Sequence, residues 1–104
     1  MNTIKEKIET EIKKDKIVIF MKGTPQAPQC GFSAATCDVF NQLGAKYHAI
    51  NVLEDTEIRE GIKQFTNWPT IPQVFINGKF VGGCDITREL FETGELKKMV
   101  EQNA

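Results

Sequence analysis

The sequence predicts an α/β protein in which a four-stranded mixed sheet is flanked by helices. A β-branched run, a helical pattern and a second strand follow one another between residues 16 and 52, which is the order of a parallel βαβ unit. Two further apolar runs surround Asn77-Gly78, a strong signal for a two-residue hairpin turn. Helical patterns precede, separate and follow these strands, so the complete order is α-β-α-β-α-β-β-α.

The first element is a helix that ends near Lys14. Isoleucines recur at every fourth position from Ile4 to Ile12, which gives a narrow apolar stripe along one helix face. Thr3 and Glu6 have the spacing of a capping box, in which each side chain bonds the backbone N–H of the other residue. Folded structure is therefore expected to begin at once.

Three segments make up the βαβ unit. The run KIVIFMKG is short, β-branched and aromatic, and Gly23 closes it, which is typical of a buried central strand. A helix follows from roughly Gly31 to Leu43, with Gly44 as its stop signal. The run AKYHAINV predicts the second strand. The residues expected on the inner side of the helix are Phe32, Ala35, Val39, Phe40 and Leu43.

The second half of the chain supplies a third helix, the hairpin and a last helix. Acidic residues open EDTEIREGIKQFTN, which is favourable at a helix N-terminus. The hairpin is QVFI-NG-KFVGG, whose two strands pair in antiparallel fashion. Asp85 is expected to cap the last helix, ITRELFETGELKKMVEQ, which is kinked or split at Gly94.

Length and composition limit the class of protein. The 104 residues are enough for one domain, over residues 1–104, and too few for two. The formal net charge of -1 argues against nucleic acids or membranes as partners, and no apolar run reaches the length of a membrane span. The N-terminal stretch lacks the apolar region of a signal peptide. We therefore expect a cytoplasmic protein, or one of an organelle matrix if the chain is a processed form.

The cysteines point to redox chemistry. Their odd number, three, indicates a reducing compartment with a thiol kept for chemistry. Cys30 leaves a Pro-rich loop and enters a helix N-terminus, where unpaired backbone N–H groups and the helix dipole favour the thiolate. Lys22 ends the preceding strand at the same edge, and a nearby cation lowers a thiol pKa further. Cys30 is therefore the candidate reactive residue.

The other two cysteines do not stand where a dithiol site would have its second thiol. A Cys-x-x-Cys motif would place its second thiol at position 33, which holds Ser33. Cys37 lies about 10 Å further along the helix, beyond the roughly 7 Å between Cα atoms that a disulfide allows, so we interpret it as a packed residue. Cys84 follows two glycines at the same end of the sheet as Cys30. Cys84 either flanks the site or serves as a regulatory thiol, and the sequence leaves both interpretations open.

Four motifs carry a resemblance to a known family. KGTPQAPQCGFS, WPTIPQVF, NGKFVGGCD and GEL resemble the monothiol glutaredoxins, the branch with a Cys-Gly-Phe-Ser site. The resemblance extends from Lys22 to about Leu96, and its strength comes from the motifs' common register. It implies a thioredoxin-like fold, with Pro72 as a cis-proline beside the active cysteine.

The resemblance also implies that Cys30 acts together with glutathione. Ser33 cannot resolve a mixed disulfide, so an attached thiol must be released by an external thiol or kept. A [2Fe–2S] cluster takes four thiolates. In the family's arrangement, two Cys30 thiolates of a homodimer and two glutathione thiolates hold one bridging cluster. Phe32, beside Cys30, is a candidate for covering such a cluster.

Glutathione needs residues that hold its two charged ends. Lys22 and Arg59, which matches the family's arginine on the third helix, are the candidates for its glycine carboxylate. The backbone of Ile71, before the cis-proline, can pair with the cysteinyl part like an added strand. Asp85 can take the γ-glutamyl amine, while the N–H groups of Cys84 and Asp85 take the γ-glutamyl carboxylate.

Three functions use these residues. The favoured one is a carrier that passes its cluster to iron–sulfur acceptor proteins or senses iron supply, because the TPQAPQ loop before Cys30 could move glutathione away from easy attack. The alternative is a glutathione-dependent monothiol oxidoreductase that removes glutathione from protein thiols, and its activity is expected to be weak. The third is an adaptor for a BolA-like protein, which would supply cluster ligands in place of the second copy.

Overall fold

A computed structural model describes residues 3–101 of the chain. Four strands form one sheet: β1 (Ile17–Met21), β2 (His48–Asn51), β3 (Gln73–Ile76) and β4 (Lys79–Gly82). Their order across the sheet is β2-β1-β3-β4, with β1 and β2 parallel and the other two neighbouring pairs antiparallel. The predicted four-stranded mixed sheet is confirmed, and β1 lies inside it.

Helices cover both faces of the sheet. They are α1 (Ile4–Glu11), α2 (Gly31–Gln42), α3 (Thr56–Thr66), α4 (Cys84–Thr93) and α5 (Glu95–Glu101), and a short 3-10 helix spans Val52–Glu54. One hydrophobic cluster joins α1 and α3 to the sheet, and a second joins α2, α4 and α5 to the opposite face. No helix within residues 3–101 is long and apolar enough to cross a membrane. Gln102, the last residue of the predicted final helix, lies outside the described residues.

Strand β1 separates the two hydrophobic clusters, because its side chains alternate between the faces of the sheet. Val18 and Phe20 belong to the cluster under α1 and α3, while Ile17, Ile19 and Met21 belong to the cluster on the other face. All five side chains are at most 1% exposed. Burial on both faces explains why this strand has a continuous apolar sequence rather than an alternating one.

The turn after β1 requires a glycine. Gly23 has φ +88°, and a Cβ at this position would lie 2.6 Å from both Ala27 O and Gln29 N. Gly23 also forms an isolated antiparallel bridge with Pro28, and the Gln29 N–H donates to Lys22 O at 2.9 Å. The Pro-rich loop is thereby folded back against the end of β1, which leads the chain to the start of α2.

The first helix ends earlier than predicted. The capping box of Thr3 and Glu6 is present, with hydrogen bonds of 3.0 and 3.2 Å. However, α1 ends at Glu11 instead of near Lys14, and Ile12 is its C-cap. The residues that follow Ile12 are charged, so no apolar burial stabilises a further helical turn.

The helix after β4 also begins differently from the prediction. Helix α4 starts at Cys84 with Gly83 as its N-cap, so the prediction that Asp85 caps this helix is wrong. Asp85 lies instead in the first turn, where a carboxylate interacts favourably with the helix dipole. The Gly83 carbonyl accepts from both the N–H and the hydroxyl of Thr87, at 3.0 and 2.8 Å. The predicted split at Gly94, where φ is +84°, is confirmed.

The inner face of α2 is partly polar. Ser33, Thr36, Cys37 and Phe40 follow the spacing of one helix face, and all four are buried. Phe32 is 61% exposed, so its predicted place on the inner side is wrong. It precedes this stripe by one residue, which turns its side chain by about 100° around the helix. The other predicted inner positions are buried or half-buried.

Close packing of isoleucines holds α1 against α3. Ile8 is fully buried, and a Cβ on Gly61 would lie 3.3 Å from Ile8 Cδ1 and 2.8 Å from Ile4 Cγ1.

Ile8→Ala is expected to lower the free energy of unfolding by about 2–5 kcal/mol, since it leaves a cavity in the core. Ile4→Ala is the matched control and should cost less, because Ile4 is half-buried. Urea unfolding measures both variants, and equal losses would contradict this account of the packing.

Candidate functional site

A cleft of about 520 Å³ opens where the end of β1, the first turns of α2 and α4, one face of α3 and the loop between α3 and β3 meet. The six residues predicted for the site all line it: Lys22, Cys30, Arg59, Ile71, Cys84 and Asp85. Because they come from different segments, the fold brings together side chains that lie far apart in the sequence.

Cys30 is the N-cap residue of α2 and is half-buried. A hydrogen bond from the Ser33 backbone N–H is the main cause that lowers the pKa of the Cys30 thiol. The Phe32 N–H, the Ser33 hydroxyl and the positive charge of Lys22 act in the same direction, and partial burial opposes them. The site therefore favours the thiolate, which is the nucleophilic and metal-ligating form of cysteine.

Ser33 has a role that the sequence analysis missed. Its side chain is fully buried, and its Oγ accepts a hydrogen bond from the Lys22 backbone N–H at 3.1 Å. The hydroxyl proton is then available to the Cys30 sulfur, whose pKa it lowers. Ser33 thus connects the end of β1 to the first turn of α2. The sequence signal was a hydroxyl residue three positions after a cysteine N-cap.

One side of the cleft is cationic. Arg59 and Lys63 lie one turn apart on α3, and Lys22 lies at the end of β1. Lys63 also forms an exposed ion pair with Glu60 at 3.3 Å. Lys63 was not among the residues predicted for the site, although its position four residues after Arg59 could have indicated it. Asp85, the acidic residue among those lining the cleft, comes from α4.

The loop between α3 and β3 supplies backbone groups. The Ile71-Pro72 peptide bond is cis, as predicted, and Pro72 and Cys30 line the same cleft. The Ile71 side chain is buried. Its backbone N–H and C=O make no hydrogen bond to any residue within 3–101. These two groups are therefore available to a ligand.

The wall between this loop and α4 is closely packed. Trp68 contacts Phe80 edge to face, with ring centroids 5.7 Å apart. A Cβ on Gly83 would lie 3.2 Å from both Trp68 Nε1 and Pro72 O, so a side chain here would require these neighbours to move by a few tenths of an ångström. The contact places the first turn of α4, including Asp85, directly beside the cis-proline loop.

The other two cysteines are buried. Cys37 is 2% exposed, its Sγ lies 3.5 Å from Met21 Sδ, and burial raises its pKa. It does not line the cleft and is part of the core, as interpreted from the sequence. Cys84 is 6% exposed and lines the cleft. It therefore flanks the site, while a regulatory role for its thiol stays a prediction.

The architecture and the site together define a class of protein. The fold is thioredoxin-like, with one half-exposed cysteine at a helix N-terminus and a cis-proline in the same cleft. Ser33 stands where a second thiol would complete a dithiol pair. The class is therefore a thiol protein of the thioredoxin-like fold with a monothiol site.

Comparisons with known proteins agree with this class. The glutaredoxin family model matches residues 17–81. "Probable monothiol glutaredoxin 2" of Rickettsia conorii is 54% identical over 94 residues, which cover 90% of this chain and 88% of that protein. The solution structure of reduced poplar apo GrxS14 has a TM-score of 0.83 and 42% identity, over 95% of this chain and 91% of that one. The crystal structure of a buckwheat glutaredoxin–glutathione complex has a TM-score of 0.83 and 31% identity, over 93% and 86%.

These matches cover most of the chain at identities well above those of unrelated proteins that share a fold. The chain belongs to the glutaredoxin family. Its Cys-Gly-Phe-Ser sequence at residues 30–33 assigns it to the monothiol branch, as the resemblance implied.

The role of Ser33 predicts the pH dependence of Cys30 reactivity. Ser33→Ala removes one donor to the sulfur and should raise the Cys30 pKa, so the midpoint of the alkylation-rate profile should move to higher pH. Lys22→Gln should move the midpoint less, because its charge acts more weakly on the sulfur than the hydroxyl. Iodoacetamide alkylation across pH, followed by mass spectrometry, measures both midpoints. An unchanged midpoint in Ser33→Ala would remove the hydroxyl from this account.

Proposed function

We propose that this glutaredoxin carries a [2Fe–2S] cluster, bound between two copies of the chain, and passes it to acceptor proteins. One observation carries the proposal: the cleft presents a single accessible thiol that favours the thiolate, with Ser33 where a resolving thiol would stand. A thiol that cannot be resolved internally is suited to lasting ligation. The cluster is cargo, and the residues of this chain bind, orient and shield it.

The cleft suits glutathione along its full length. The cationic side at Lys22, Arg59 and Lys63 fits the glycine carboxylate, and the free backbone groups of Ile71 fit the cysteinyl part. Asp85 fits the γ-glutamyl amine, and the first N–H groups of α4 fit the neighbouring carboxylate. The buckwheat relative in complex with glutathione supports the assignment of this ligand.

The ligand count explains why two chains and two glutathiones are needed. A [2Fe–2S] cluster takes four thiolates. Within residues 3–101, no three His, Cys, Asp or Glu side chains gather into a metal-binding group. The accessible sulfur in the cleft is Cys30, since Cys84 is buried in its wall. One Cys30 and one glutathione from each copy complete the set.

The exposure of Phe32 favours a partner at the mouth of the cleft. A large aromatic side chain that is 61% exposed next to the reactive sulfur gains stabilisation when another surface covers it, because apolar area is removed from water. In the proposed homodimer, the second copy covers Phe32 and shields the cluster from water. We also propose that a BolA-like protein can take the place of the second copy. The proposed location is a reducing cytoplasm.

A second candidate function follows from the reactivity of Cys30. Its thiolate can attack the glutathione sulfur of a glutathionylated protein, which transfers glutathione to Cys30 and releases the protein thiolate. A second glutathione then attacks the Cys30 mixed disulfide, which restores Cys30 and forms glutathione disulfide. Each step exchanges one disulfide for another. We rank this oxidoreductase activity second on the sequence expectation that the TPQAPQ loop before Cys30 moves glutathione away from easy attack, although none of residues 24–29 lines the cleft.

Reconstitution tests the ligand assignment. With iron, sulfide and glutathione under anaerobic conditions, the protein is expected to form a coloured dimer, seen by visible absorption and size-exclusion chromatography. Cys30→Ser should abolish it, because a hydroxyl does not replace the thiolate ligand. Cys37→Ser is the matched control and should retain the dimer, since Cys37 packs in the core away from the cleft. A coloured dimer of Cys30→Ser would show the assignment to be wrong.

Glutathione retention tests the two ends of the cleft. Lys22→Ala and Asp85→Ala should each speed loss of the cluster without unfolding the apo protein, because a charge-assisted hydrogen bond contributes roughly 1.5–3 kcal/mol in a protected site and less when exposed. Decay of visible absorption measures this loss, and circular dichroism checks the fold.

Reductase activity on a small disulfide is measured on the same preparation. A high reductase rate without a stable cluster would reject the carrier and favour the oxidoreductase.

A further inference from the structure

Gln73 is a fully buried polar side chain at the first residue of β3. Its backbone is fixed in the sheet, where it pairs with Phe20 of β1. Its side-chain amide bonds the chain segment that precedes it: Nε2 donates to Trp68 O at 3.0 Å and to Thr70 O at 3.1 Å. Oε1 accepts from the Thr66 hydroxyl at 2.8 Å, and the single hydrogen of that hydroxyl is shared with Ile62 O at 3.0 Å. Both amide hydrogens and the carbonyl oxygen therefore have partners.

Thr66 extends this arrangement to the start of the loop. Its Oγ1 accepts from the Trp68 N–H at 3.2 Å. The segment from Thr66 to Gln73 is thus tied together from inside by hydrogen bonds that all involve one amide or one hydroxyl. Three of its backbone groups are used in this way: the N–H and C=O of Trp68 and the C=O of Thr70.

The hydrogen bonds of Gln73 do not use the backbone groups of Ile71, which stay available. Ile71 follows Thr70, whose carbonyl is held by the amide, and its own N–H and C=O have no partner within residues 3–101. A ligand that pairs with Ile71 like an added strand needs both groups held at a fixed spacing and direction. The sheet fixes Gln73, and Gln73 fixes the loop.

We propose that Gln73 is a positioning residue that sets the Ile71 backbone for pairing with the cysteinyl peptide of glutathione. This inference rests on the proposed function and deepens it. Gln73 does not touch the ligand and acts through the loop. An apolar side chain of similar volume would fill the same space, but it would remove the donor of two part-buried hydrogen bonds, so the carbonyls of Trp68 and Thr70 would no longer be held to the sheet.

Thiol exchange at Cys30 tests the inference without a cluster. The Cys30 mixed disulfide with 2-mercaptoethanol is equilibrated with glutathione or with N-acetylcysteine N-methylamide, a blocked cysteine that has both peptide groups but no charges. Each reaction exchanges one disulfide for another, and intact mass with peptide mapping gives the ratio of adducts. Because Cys30 is common to all adducts, its own pKa does not affect the preference. The wild-type protein is expected to prefer both peptides over mercaptoethanol.

Gln73→Met is expected to lower both preferences about tenfold, since two neutral hydrogen bonds lose their alignment. Thr66→Val keeps the two Nε2 bonds and should lower both preferences less than Gln73→Met does. Asp85→Ala should lower the preference for glutathione alone, because the blocked cysteine has no amine end. Val74→Ala is the control for stability: Val74 is the next residue of β3, fully buried in the opposite hydrophobic cluster, and its preferences should equal those of the wild-type protein.

The outcomes separate the inference from the proposed function. A wild-type protein without preference for glutathione would overturn both. A wild-type preference for glutathione but not for the blocked cysteine would overturn the inference alone, as would full preferences in a folded Gln73→Met protein. If Gln73→Met does not fold, Thr66→Val decides: a reduced preference for both peptides supports the inference, and an unchanged preference overturns it.

Discussion

The hydrogen bond from the Lys22 N–H to Ser33 Oγ is the interaction on which the site depends. It joins the end of a strand buried on both faces to the first turn of α2, so the rigid sheet determines where that helix begins. It also commits the oxygen of Ser33 as an acceptor, which leaves the hydroxyl proton for the sulfur of Cys30. A thiol at position 33 would be a weaker acceptor and donor. The serine is therefore a structural part of the site, not only the absence of a resolving cysteine.

The walls of the cleft are held together by a few close contacts between segments. Glycines allow two close approaches: Gly23 lets the loop fold back on β1, and Gly83 lets α4 approach Trp68. The amide of Gln73 holds the remaining wall, the cis-proline loop, from the sheet side. Cations on one side and Asp85 among the groups from α4 then give the cleft a polarity that matches a ligand with separated charges, while the reactive sulfur at the helix N-terminus stays half-exposed.

Patterns that act over short distances in the sequence predicted the fold well. Asn77-Gly78 predicted the hairpin, and Gly94 predicted the split between α4 and α5, because their backbone conformations are local properties. The start of α4 was misjudged, since its N-cap is Gly83, which has no side chain to mark the position in the sequence. Ser33 and Gln73 were missed for a different reason: Ser33 bonds a backbone group eleven residues away, and Gln73 closes a loop whose path the sequence does not give. Lys63 was missed although helical spacing from Arg59 could have found it.

The central claim is that one Cys30 and one glutathione from each of two chains hold a single cluster. Native mass spectrometry of protein isolated anaerobically in the presence of glutathione tests it most directly, because it counts chains, iron, sulfide and glutathione in one species. We expect a complex of two chains, one [2Fe–2S] unit and two glutathiones. A cluster-containing species with a single chain, or a dimer that retains its cluster without glutathione, would contradict it.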